Sequence, residues 1–388
     1  MTSNPTDSPV AGAFRWVIPE TVPDAPMQDR EADLWTVEVL GASISFSGFS
    51  DLEMAELDRC WHRCNPRRGG RSAAVFVRHS GISWRQQHED IVSLLTLAGI
   101  NSVAGRRLMF HAGGISDPES GRSLALVAKS GTGKTTAIRN LARQFGYLSD
   151  ETVAIDPASL QILPYPKPLS VLGPDGKRPK QQYSPEELAL SEAHPDPVLH
   201  RIVLLHRVPG TDEPLVEPLG TAEALGLLVP DSSSLSRLDR GLVALAEVLT
   251  RTGGAIRVTY AENTQLTPLV PELLRQDRAL AGSARDWTPV DLTVAGAPGS
   301  GHGGQLLRRV VPDDAIRLGE SLAVLNGERF DVVSGIGAAI WTSARSWRTE
   351  QQLHAAVLAE YGAHPESERL VAEAVGSLQA AGLLLRSA

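Results

Sequence analysis

The segment Ala128–Thr135 (AKSGTGKT) has the residue types and the spacing of a phosphate-binding loop. It lies between a buried strand predicted over Ser123–Ala128 and an amphipathic helix predicted over Lys134–Phe145, with Gly146 as the expected C-terminal cap of that helix. Glycines let backbone N–H groups turn toward an anion, and a helix N-terminus adds a positive dipole end. The pattern predicts a nucleotide site, and the alternative is a chance glycine turn before a helix.

Seven residues in and after this segment are expected to contact the nucleotide. They are Ser130, Gly131, Thr132, Gly133, Lys134, Thr135 and Thr136. The Lys134 ammonium can reach the β and γ phosphates, and the Thr135 hydroxyl can ligate Mg²⁺. The segment therefore predicts ATP and Mg²⁺ as cofactors.

An acidic pair, Asp150 and Glu151, interrupts the strand-like stretch Tyr147–Ile155 shortly after the predicted helix. One carboxylate can hold Mg²⁺, and the other or the same one can accept a proton from an attacking hydroxyl. We favour Asp150 as the base, with Asp150 and Glu151 as metal ligands together with Thr135. The alternative is an exposed acidic pair at the end of a strand.

These residues resemble the HPr serine kinase/phosphorylase family. The matching positions are His111 before the loop, Lys129 to Thr136 in the loop, and then Gly146 and Ser149-Asp150-Glu151. The resemblance covers Arg107–Ser170 and, more weakly, the chain as far as Gly254. It implies an α/β fold with a P-loop core of the HPr-kinase/PEP-carboxykinase type, in which Asp150 is the general base. Ala128 and Glu151 depart from the family's glycine and second aspartate.

His111 is a further candidate for the site. A histidine in an apolar strand is usually a core residue, but the resemblance adds His111 to Asp150 and Lys134 as a catalytic residue. Three basic residues, Lys167, Arg201 and Arg207, are weaker candidates for contacts with phosphate or substrate, because basic residues at loop and strand ends are mostly solvated.

Changes of composition along the chain predict its domains. We expect a disordered N-terminus over 1–33, an α+β region over 34–104, the kinase-like domain over 105–294, a glycine-rich linker over 295–304 and a C-terminal domain over 305–388. The last domain is predicted as a hairpin around Asn326-Gly327, a pair that suits a type I′ turn, followed by helices over Ser334–Thr342, Thr349–Tyr361 and Pro365–Ala380. This order of elements is that of a winged-helix module.

The C-terminal domain resembles the PqqD family of peptide-binding modules, which serve pathways that make ribosomally synthesised, modified peptides. The matching residues are Leu325-Asn326-Gly327, Gly337 to Trp341, Leu353 and Leu378 to Leu384. In that family a leader peptide adds a strand to the hairpin sheet, so the resemblance implies a precursor peptide as partner. The alternative is that these positions are only core, which we favour for Ile340, Trp341 and Leu383.

Composition bears on the partners and the location of the protein. The charge of -8 is spread along 388 residues, and the helix Thr349–Tyr361 carries no Lys or Arg, so nothing indicates nucleic acid. The start lacks the pattern of a secretory signal, and no window approaches the roughly 18 apolar residues of a membrane span, so we expect a cytoplasmic protein with no membrane partner. Cys60, His62 and Cys64 suggest a zinc site, but ordinary helix thiols are favoured because no second pair completes a tetrahedron.

Together these features predict an ATP-dependent serine/threonine kinase that acts on a peptide or protein. Its expected substrate is a ribosomally made precursor peptide, with a lasso peptide as one candidate because the architecture resembles the kinases of such clusters. Two alternatives stay open: a protein that uses ATP as a switch while it presents a peptide, and a small-molecule kinase. The oligomeric state is open as well, with a homo-oligomer among the possibilities.

Overall fold

The chain folds as a mixed α/β protein with a mixed β-sheet beneath the glycine loop. The computed structural model describes residues 14–17, 34–69, 75–78, 81–129, 131–276, 285–296 and 305–387. None of the helices in these ranges combines the length and the apolar composition that a bilayer span needs.

The helices in the described ranges are α1 (Asp51–Cys60), α2 (Trp84–Val103), α3 (Lys134–Leu141), α4 (Thr221–Leu228), α5 (Gly241–Arg251), α6 (Val270–Arg275), α7 (Gly335–Ser343), α8 (Glu350–Tyr361) and α9 (Ser367–Ala380). The strands are β1 (Phe14–Val17), β2 (Trp35–Val39), β3 (Ala42–Ser47), β4 (Arg67–Arg68), β5 (Val75–Arg78), β6 (Leu108–Phe110), β7 (Ala112–Ser116), β8 (Arg122–Val127), β9 (Gly146–Ser149), β10 (Val153–Ile155), β11 (Ile162–Leu163), β12 (Leu169–Val171), β13 (Gln181–Tyr183), β14 (Val198–Arg207), β15 (Leu215–Pro218), β16 (Ser232–Ser233), β17 (Ala255–Tyr260), β18 (Trp287–Pro289), β19 (Leu307–Arg309), β20 (Asp314–Leu318), β21 (Ser321–Asn326), β22 (Arg329–Val333) and β23 (Leu384–Arg386).

Two compact units make up the chain. The first comprises Met1–Leu219, Asp231–Ser234 and Thr252–Ala281, and the second comprises Gly220–Pro230, Leu235–Arg251 and Gly282–Ala388. Helices α4 and α5 thus lie in the second unit, although their sequence precedes residue 294. The domain boundaries inferred from the sequence stay predictions.

A six-stranded sheet in the first unit carries the glycine loop. Its order is β15-β17-β14-β8-β7-β9, in which β8, β14 and β17 run parallel while β7, β9 and β15 are antiparallel to their neighbours. Strand β8 is buried from Ser123 to Val127, and the loop leaves its carboxyl end. Helix α3 then packs on the sheet through Ala137, Ile138 and Leu141.

Gly113 allows helix α3 to lie close to strand β7. A Cβ atom at this position would lie 2.2 Å from Cγ1 of Ile138 and 2.3 Å from its Cδ1. A side chain there would push the helix away from the sheet, and the start of that helix is Lys134. The glycine therefore helps to set the position of the loop lysine.

The helix after the loop is shorter than the sequence predicts. It ends at Leu141 with Ala142 as its C-cap, whereas we expected it to reach Phe145 with Gly146 as a left-handed cap. Gly146 instead begins strand β9, and a Cβ atom there would lie 2.5 Å from Cα of Ala193. Close approach of another backbone segment, and not a helix cap, is the physical reason for this glycine.

A second sheet of the first unit, with order β1-β5-β3-β2-β4, forms the N-terminal region. Its core includes Trp35, Phe46 and Trp61 together with residues of α1 and α2. Most of the segment 1–33 that we expected to be disordered lies outside the described residues, but Phe14–Val17 forms strand β1 and pairs with β5.

The second unit contains a four-stranded antiparallel sheet with order β18-β20-β21-β22, followed by α7, α8 and α9. The hairpin β21-β22 is confirmed, but its turn differs from the expectation. Asn326 pairs with Arg329, so Gly327 and Glu328 are the central residues, and only Gly327 has a positive φ, +63°. That is the pattern of a type II′ turn and not of type I′. Most of the predicted linker, residues 297–304, lies outside the described residues.

Candidate functional site

The glycine loop presents backbone donors at the start of α3. Gly131 and Gly133 have φ of +82° and +93°, a conformation that other residues rarely adopt. Gly133 is the N-cap of α3, and no side chain caps this helix, so its first N–H groups are left for another acceptor. The hydroxyl of Thr132 donates to the carbonyl of Lys129 over 2.7 Å and closes the loop. These features suit a bound phosphate.

The other loop residues differ in exposure. Thr135 is partly buried and Thr136 is exposed, while Ser130 lies outside the described residues. The Thr135 hydroxyl belongs to the first turn of α3, next to Lys134. This is the position from which the sequence predicts a Mg²⁺ contact.

Lys134 lies under the loop and is 7 % exposed. Its Nζ donates a hydrogen bond to the backbone carbonyl of His111 over 2.7 Å. Burial lowers the pKa of Lys134 to about 8, although the carboxylates of Asp231, Asp150 and Glu151 act in the opposite direction. The ammonium is therefore a buried cation with three carboxylates in electrostatic range.

His111 lies where the chain passes from one sheet to another. It stands between β6, in a sheet of order β11-β10-β6-β16, and β7 in the six-stranded sheet, so it is not inside a strand as we expected. Its backbone N–H donates to the carbonyl of Asp231 over 2.7 Å. Burial, and next the charge of Lys134, hold the pKa of His111 below its ordinary value, so the imidazole is neutral at pH 7.

Asp150 and Glu151 lie in a second segment that connects the same two sheets. Strand β9 ends at Ser149 in the six-stranded sheet, and β10 begins at Val153 in the other, so Asp150 and Glu151 fall between strands as the sequence predicts. The Ser149 hydroxyl accepts hydrogen bonds from the backbone N–H groups of Glu151 and Thr152 over 3.2 and 3.1 Å. This local turn fixes the backbone from which both carboxylates project.

The side chain of Lys167 contacts both carboxylates of the acidic pair. Its Nζ lies 2.8 Å from Oδ1 of Asp150 and 3.2 Å from Oε2 of Glu151, and it also donates to the carbonyl of Pro168 over 3.1 Å. Burial disfavours the charge of Lys167, but the two carboxylates outweigh burial and raise its pKa above the ordinary value. Lys167 is thus a charged side chain inside the site. From the sequence it was only a weak candidate.

Two buried tyrosines support the carboxylates. The Tyr147 hydroxyl lies 3.1 Å from Oδ1 of Asp150 and 3.1 Å from the carbonyl of Lys167. On the Glu151 side, the Thr96 hydroxyl lies 3.4 Å from Oε2 and 3.1 Å from the Tyr165 hydroxyl. Burial raises the pKa of both tyrosines well above the ordinary value, so each stays a neutral hydroxyl. Buried polar groups therefore hold one oxygen of each carboxylate, and the acidic pair is not simply a solvated strand end.

The two arginine candidates lie at different places on strand β14. Arg207 stands at its carboxyl end, and one guanidinium nitrogen lies 4.0 Å from the position of a Cβ atom on Gly133. Its Nε donates to the carbonyl of Ala261 over 2.8 Å, and it forms an ion pair with Glu262. Arg201 pairs with Leu124, before the end of β8, and is buried there. Arg207 adjoins the loop, whereas Arg201 does not.

Asp231 is a site residue that sequence reasoning missed. It precedes the short strand β16, which pairs with β6, and this pairing brings Asp231 to His111 and Lys134. Its only local signal is the turn-like stretch Pro230 to Ser234, which does not indicate a partner. Thr96 and Tyr147 were missed for the same reason, because their partners are set by packing.

The cysteines do not form the zinc site considered from the sequence. Cys60 and Cys64 are buried free thiols, and burial raises the pKa of each to about 12, while His62 is exposed. Among the residues that the structure describes, one set of potential ligands does cluster: Glu56, Cys60 and His88, within 4.8 Å of one another. Nε2 of His88 lies 3.3 Å from the donor Nε1 of Trp61, and Nδ1 lies 3.8 Å from Glu56. Both ring nitrogens face protein groups, which favours a core histidine.

The second unit contributes a different kind of surface. Strand β22 is the last strand of its sheet and pairs with β21 alone within the described residues. The other end of the sheet is β18, and Val332 on β22 is 51 % exposed. Ile340, Trp341, Leu353 and Leu383 are buried in the core, in agreement with the core interpretation for Ile340, Trp341 and Leu383. An unpaired strand edge of this kind can accept another strand.

Comparison with known proteins found no matching family model and no matching curated protein.

Proposed function

We propose that the chain is an ATP-dependent kinase that phosphorylates a serine or threonine hydroxyl of a ribosomally made precursor peptide. The observation that carries the proposal is that the Lys134 ammonium is hydrogen-bonded to the His111 carbonyl and interacts electrostatically with the carboxylates of Asp150, Glu151 and Asp231. A phosphate-binding loop alone is compatible with hydrolysis, transport or phosphoryl transfer. A loop lysine beside several carboxylates, in a supported polar network, suits transfer to a hydroxyl.

ATP and Mg²⁺ fit the residues that are present. The positive-φ glycines Gly131 and Gly133 and the uncapped start of α3 supply backbone donors for phosphate oxygens, and Lys134 supplies a cation. Oxygen ligands suit Mg²⁺, and the candidates are Thr135, Asp150 and Glu151, with Asp231 as an addition from the structure. When bound, Mg²⁺ neutralises charge that develops on the transferred phosphoryl group.

The side chains of the site have separate tasks in this proposal. Lys134 holds the phosphates, the acidic pair takes the proton of the hydroxyl and ligates the metal, and Lys167 keeps the pair in place. His111 is neutral at pH 7, so in this proposal it acts through contact and contributes no charge. Arg207 adjoins Gly133 and is a candidate for contact with the transferred phosphoryl group.

A peptide substrate is supported by the second unit. The open edge of β22 offers backbone groups to an added strand, and exposed Val332 offers apolar contact. The resemblance of the first unit to HPr serine kinase/phosphorylase proteins and of the second to PqqD-like winged-helix modules is part of the same proposal. Binding of the substrate to one part of the chain raises its effective concentration at the other.

The test is mass spectrometry of a precursor peptide encoded beside this gene, incubated with the full chain, ATP and Mg²⁺. We expect a gain of one or more phosphates with the unaltered chain and none with Lys134→Ala. Binding of the peptide with no mass shift would contradict the kinase and favour a protein that uses ATP as a switch. ATP consumption with a metabolite, unchanged when residues 305–388 are removed, would favour a small-molecule kinase.

A further inference from the structure

Asp150 and Glu151 are neighbours in sequence but differ in access. The side chain of Asp150 is 4 % exposed, and that of Glu151 is 32 % exposed. Oδ1 of Asp150 is within hydrogen-bond distance of both Lys167 and the Tyr147 hydroxyl. These contacts and the low exposure of the side chain limit the approach of a substrate hydroxyl to Asp150.

Lys167 is fixed in its place. An ammonium has three N–H donors, and three acceptors lie within 3.2 Å of Nζ: Asp150, Glu151 and the carbonyl of Pro168. The side chain is 1 % exposed, so Lys167 cannot turn toward solvent without opening the core. Asp150 and Lys167 therefore form a buried ion pair. Each carboxylate contacts Lys167 through one oxygen, and the two acids differ in that only the Glu151 side chain has a sizeable exposed fraction.

We propose that Glu151, and not Asp150, accepts the proton of the attacking hydroxyl, and that the buried pair of Asp150 and Lys167 positions Glu151. This inference rests on the proposed kinase function and reverses the role that the resemblance implies for Asp150. A general base must come within hydrogen-bond distance of the proton that it takes, and Glu151 is the member of the pair with an accessible side chain.

Glu151 takes the hydroxyl proton, and the hydroxyl oxygen forms a bond to the γ phosphorus. The bond between that phosphorus and the β–γ bridging oxygen breaks, and ADP leaves with the electron pair. Asp150 and Lys167 keep their charges throughout, so Asp150 is a positioning residue.

One test needs no turnover. A water-soluble carbodiimide with glycine ethyl ester converts accessible carboxylates to amides, and peptide mapping by mass spectrometry locates them. In the full chain we expect Glu151 to be labelled and Asp150 to remain unlabelled. MgATP is expected to protect Glu151, and protection should be absent in Lys134→Ala, which is the matched control. Labelling of Asp150 in preference to Glu151 would overturn the proposal.

The second test compares Glu151→Gln with Asp150→Asn in single-turnover transfer to the peptide that the unaltered chain phosphorylates. General-base catalysis contributes about 10²- to 10⁴-fold, so Glu151→Gln, assayed well below its Tm, should lose at least about 100-fold. Asp150→Asn, assayed well below its Tm, should lose a smaller factor of the rate than Glu151→Gln. A larger loss in Asp150→Asn than in Glu151→Gln would overturn the proposal.

The two tests separate failure of this inference from failure of the proposed function. If the unaltered chain transfers no phosphate to any peptide, the kinase function fails, while carbodiimide labelling still reports the access of the two carboxylates. If the chain is a kinase and Asp150 is the labelled, rate-determining residue, only the inference fails.

Discussion

The Nζ atom of Lys134 lies 2.7 Å from the backbone carbonyl of His111. The loop lysine is therefore bound to the segment that joins β6 and β7, and this segment also binds Asp231 through the His111 N–H. The hydrogen bond holds a buried ammonium at the base of the loop. In this position the charge of Lys134 interacts electrostatically with the carboxylates of Asp231, Asp150 and Glu151.

Nucleotide affinity is expected to fall as pH rises through about 8. Burial lowers the pKa of Lys134 to that value in the free protein, and a bound phosphate favours the charged form, so binding takes up a proton in this range. Isothermal titration calorimetry in buffers of different ionisation enthalpy would measure the proton uptake. In Lys134→Arg, whose guanidinium stays charged, affinity should not change between pH 7 and 9. The same flat profile in the unaltered chain would contradict the prediction.

Loss of the Lys167 charge is expected to destabilise the first unit. Removal of one partner of a buried ion pair costs roughly 3–5 kcal/mol, because the remaining charge is buried without compensation. Lys167→Met should lower the denaturant midpoint by a corresponding amount, since Asp150 would keep its burial without its closest cation. Arg369→Met, which breaks exposed ion pairs with Glu366 and Glu373, is the control and should change the midpoint little. Equal midpoints for the two variants would refute this view of Lys167.

Alkaline pH gives an independent check on the same residue. The pKa of Lys167 is raised in the folded chain, so its contribution to stability is fully present below the ordinary lysine value of about 10.4 and declines above it. The free energy of unfolding of the unaltered chain, measured by chemical denaturation, should therefore decline as pH rises above about 10. Lys167→Met should lack this component of the decline, and a decline of the same size in that variant would contradict the assignment.

Local signals were sufficient to predict the elements that carry the site. The loop between β8 and α3 follows from a buried apolar run, glycines and Gly-Lys-Thr. The gap between β9 and β10 follows from two acids in an apolar stretch. Thr349 was likewise predicted to open a helix, and it forms a capping box with Gln352 at the start of α8.

Contacts between distant segments could not be predicted in the same way. Lys167 and Asp231 lie in the site because the chain crosses twice between the two sheets and because β16 later pairs with β6. No local sequence pattern encodes such pairings. The turn at Leu40 and Gly41 was likewise not evident from the local pattern. The run Leu34–Phe46 alternates like one strand, but both residues adopt positive φ and turn it into the hairpin of β2 and β3. Pairing with β4 and β5 on the two sides stabilises the hairpin.

Gly113→Ala is expected to destabilise the chain and to disturb the loop lysine. The added methyl would lie 2.2 Å from Cγ1 of Ile138, and overpacking of this kind costs typically about 1–3 kcal/mol. Denaturant unfolding would measure the loss, and Ile138→Val in the same chain should recover part of it. Gly226→Ala is the control, because it lies within α4 with open space around the new methyl. A destabilisation of Gly226→Ala equal to that of Gly113→Ala would argue against the packing explanation.

A proline on strand β22 is expected to weaken the proposed peptide binding while the fold is retained. The two-residue turn makes Asn326 and Arg329 a hydrogen-bonded pair, and bonded and non-bonded pairs alternate along an antiparallel ladder. Ala323 and Val332 are therefore a non-bonded pair, so the N–H of Val332 points to the open edge. Val332→Pro removes this donor without loss of a ladder bond.

The measurement is fluorescence anisotropy of a labelled leader peptide on the full chain. One lost hydrogen bond and the restriction of the edge should weaken binding by about tenfold or more. Val332→Ala keeps the N–H, so it is the matched control and should bind the peptide with a smaller loss. Nucleotide affinity should be the same in both variants, because Lys134 and the glycine loop are unchanged. If Val332→Pro binds the leader as tightly as Val332→Ala, strand addition at this edge is wrong, and a peptide that is still phosphorylated must be held by another surface.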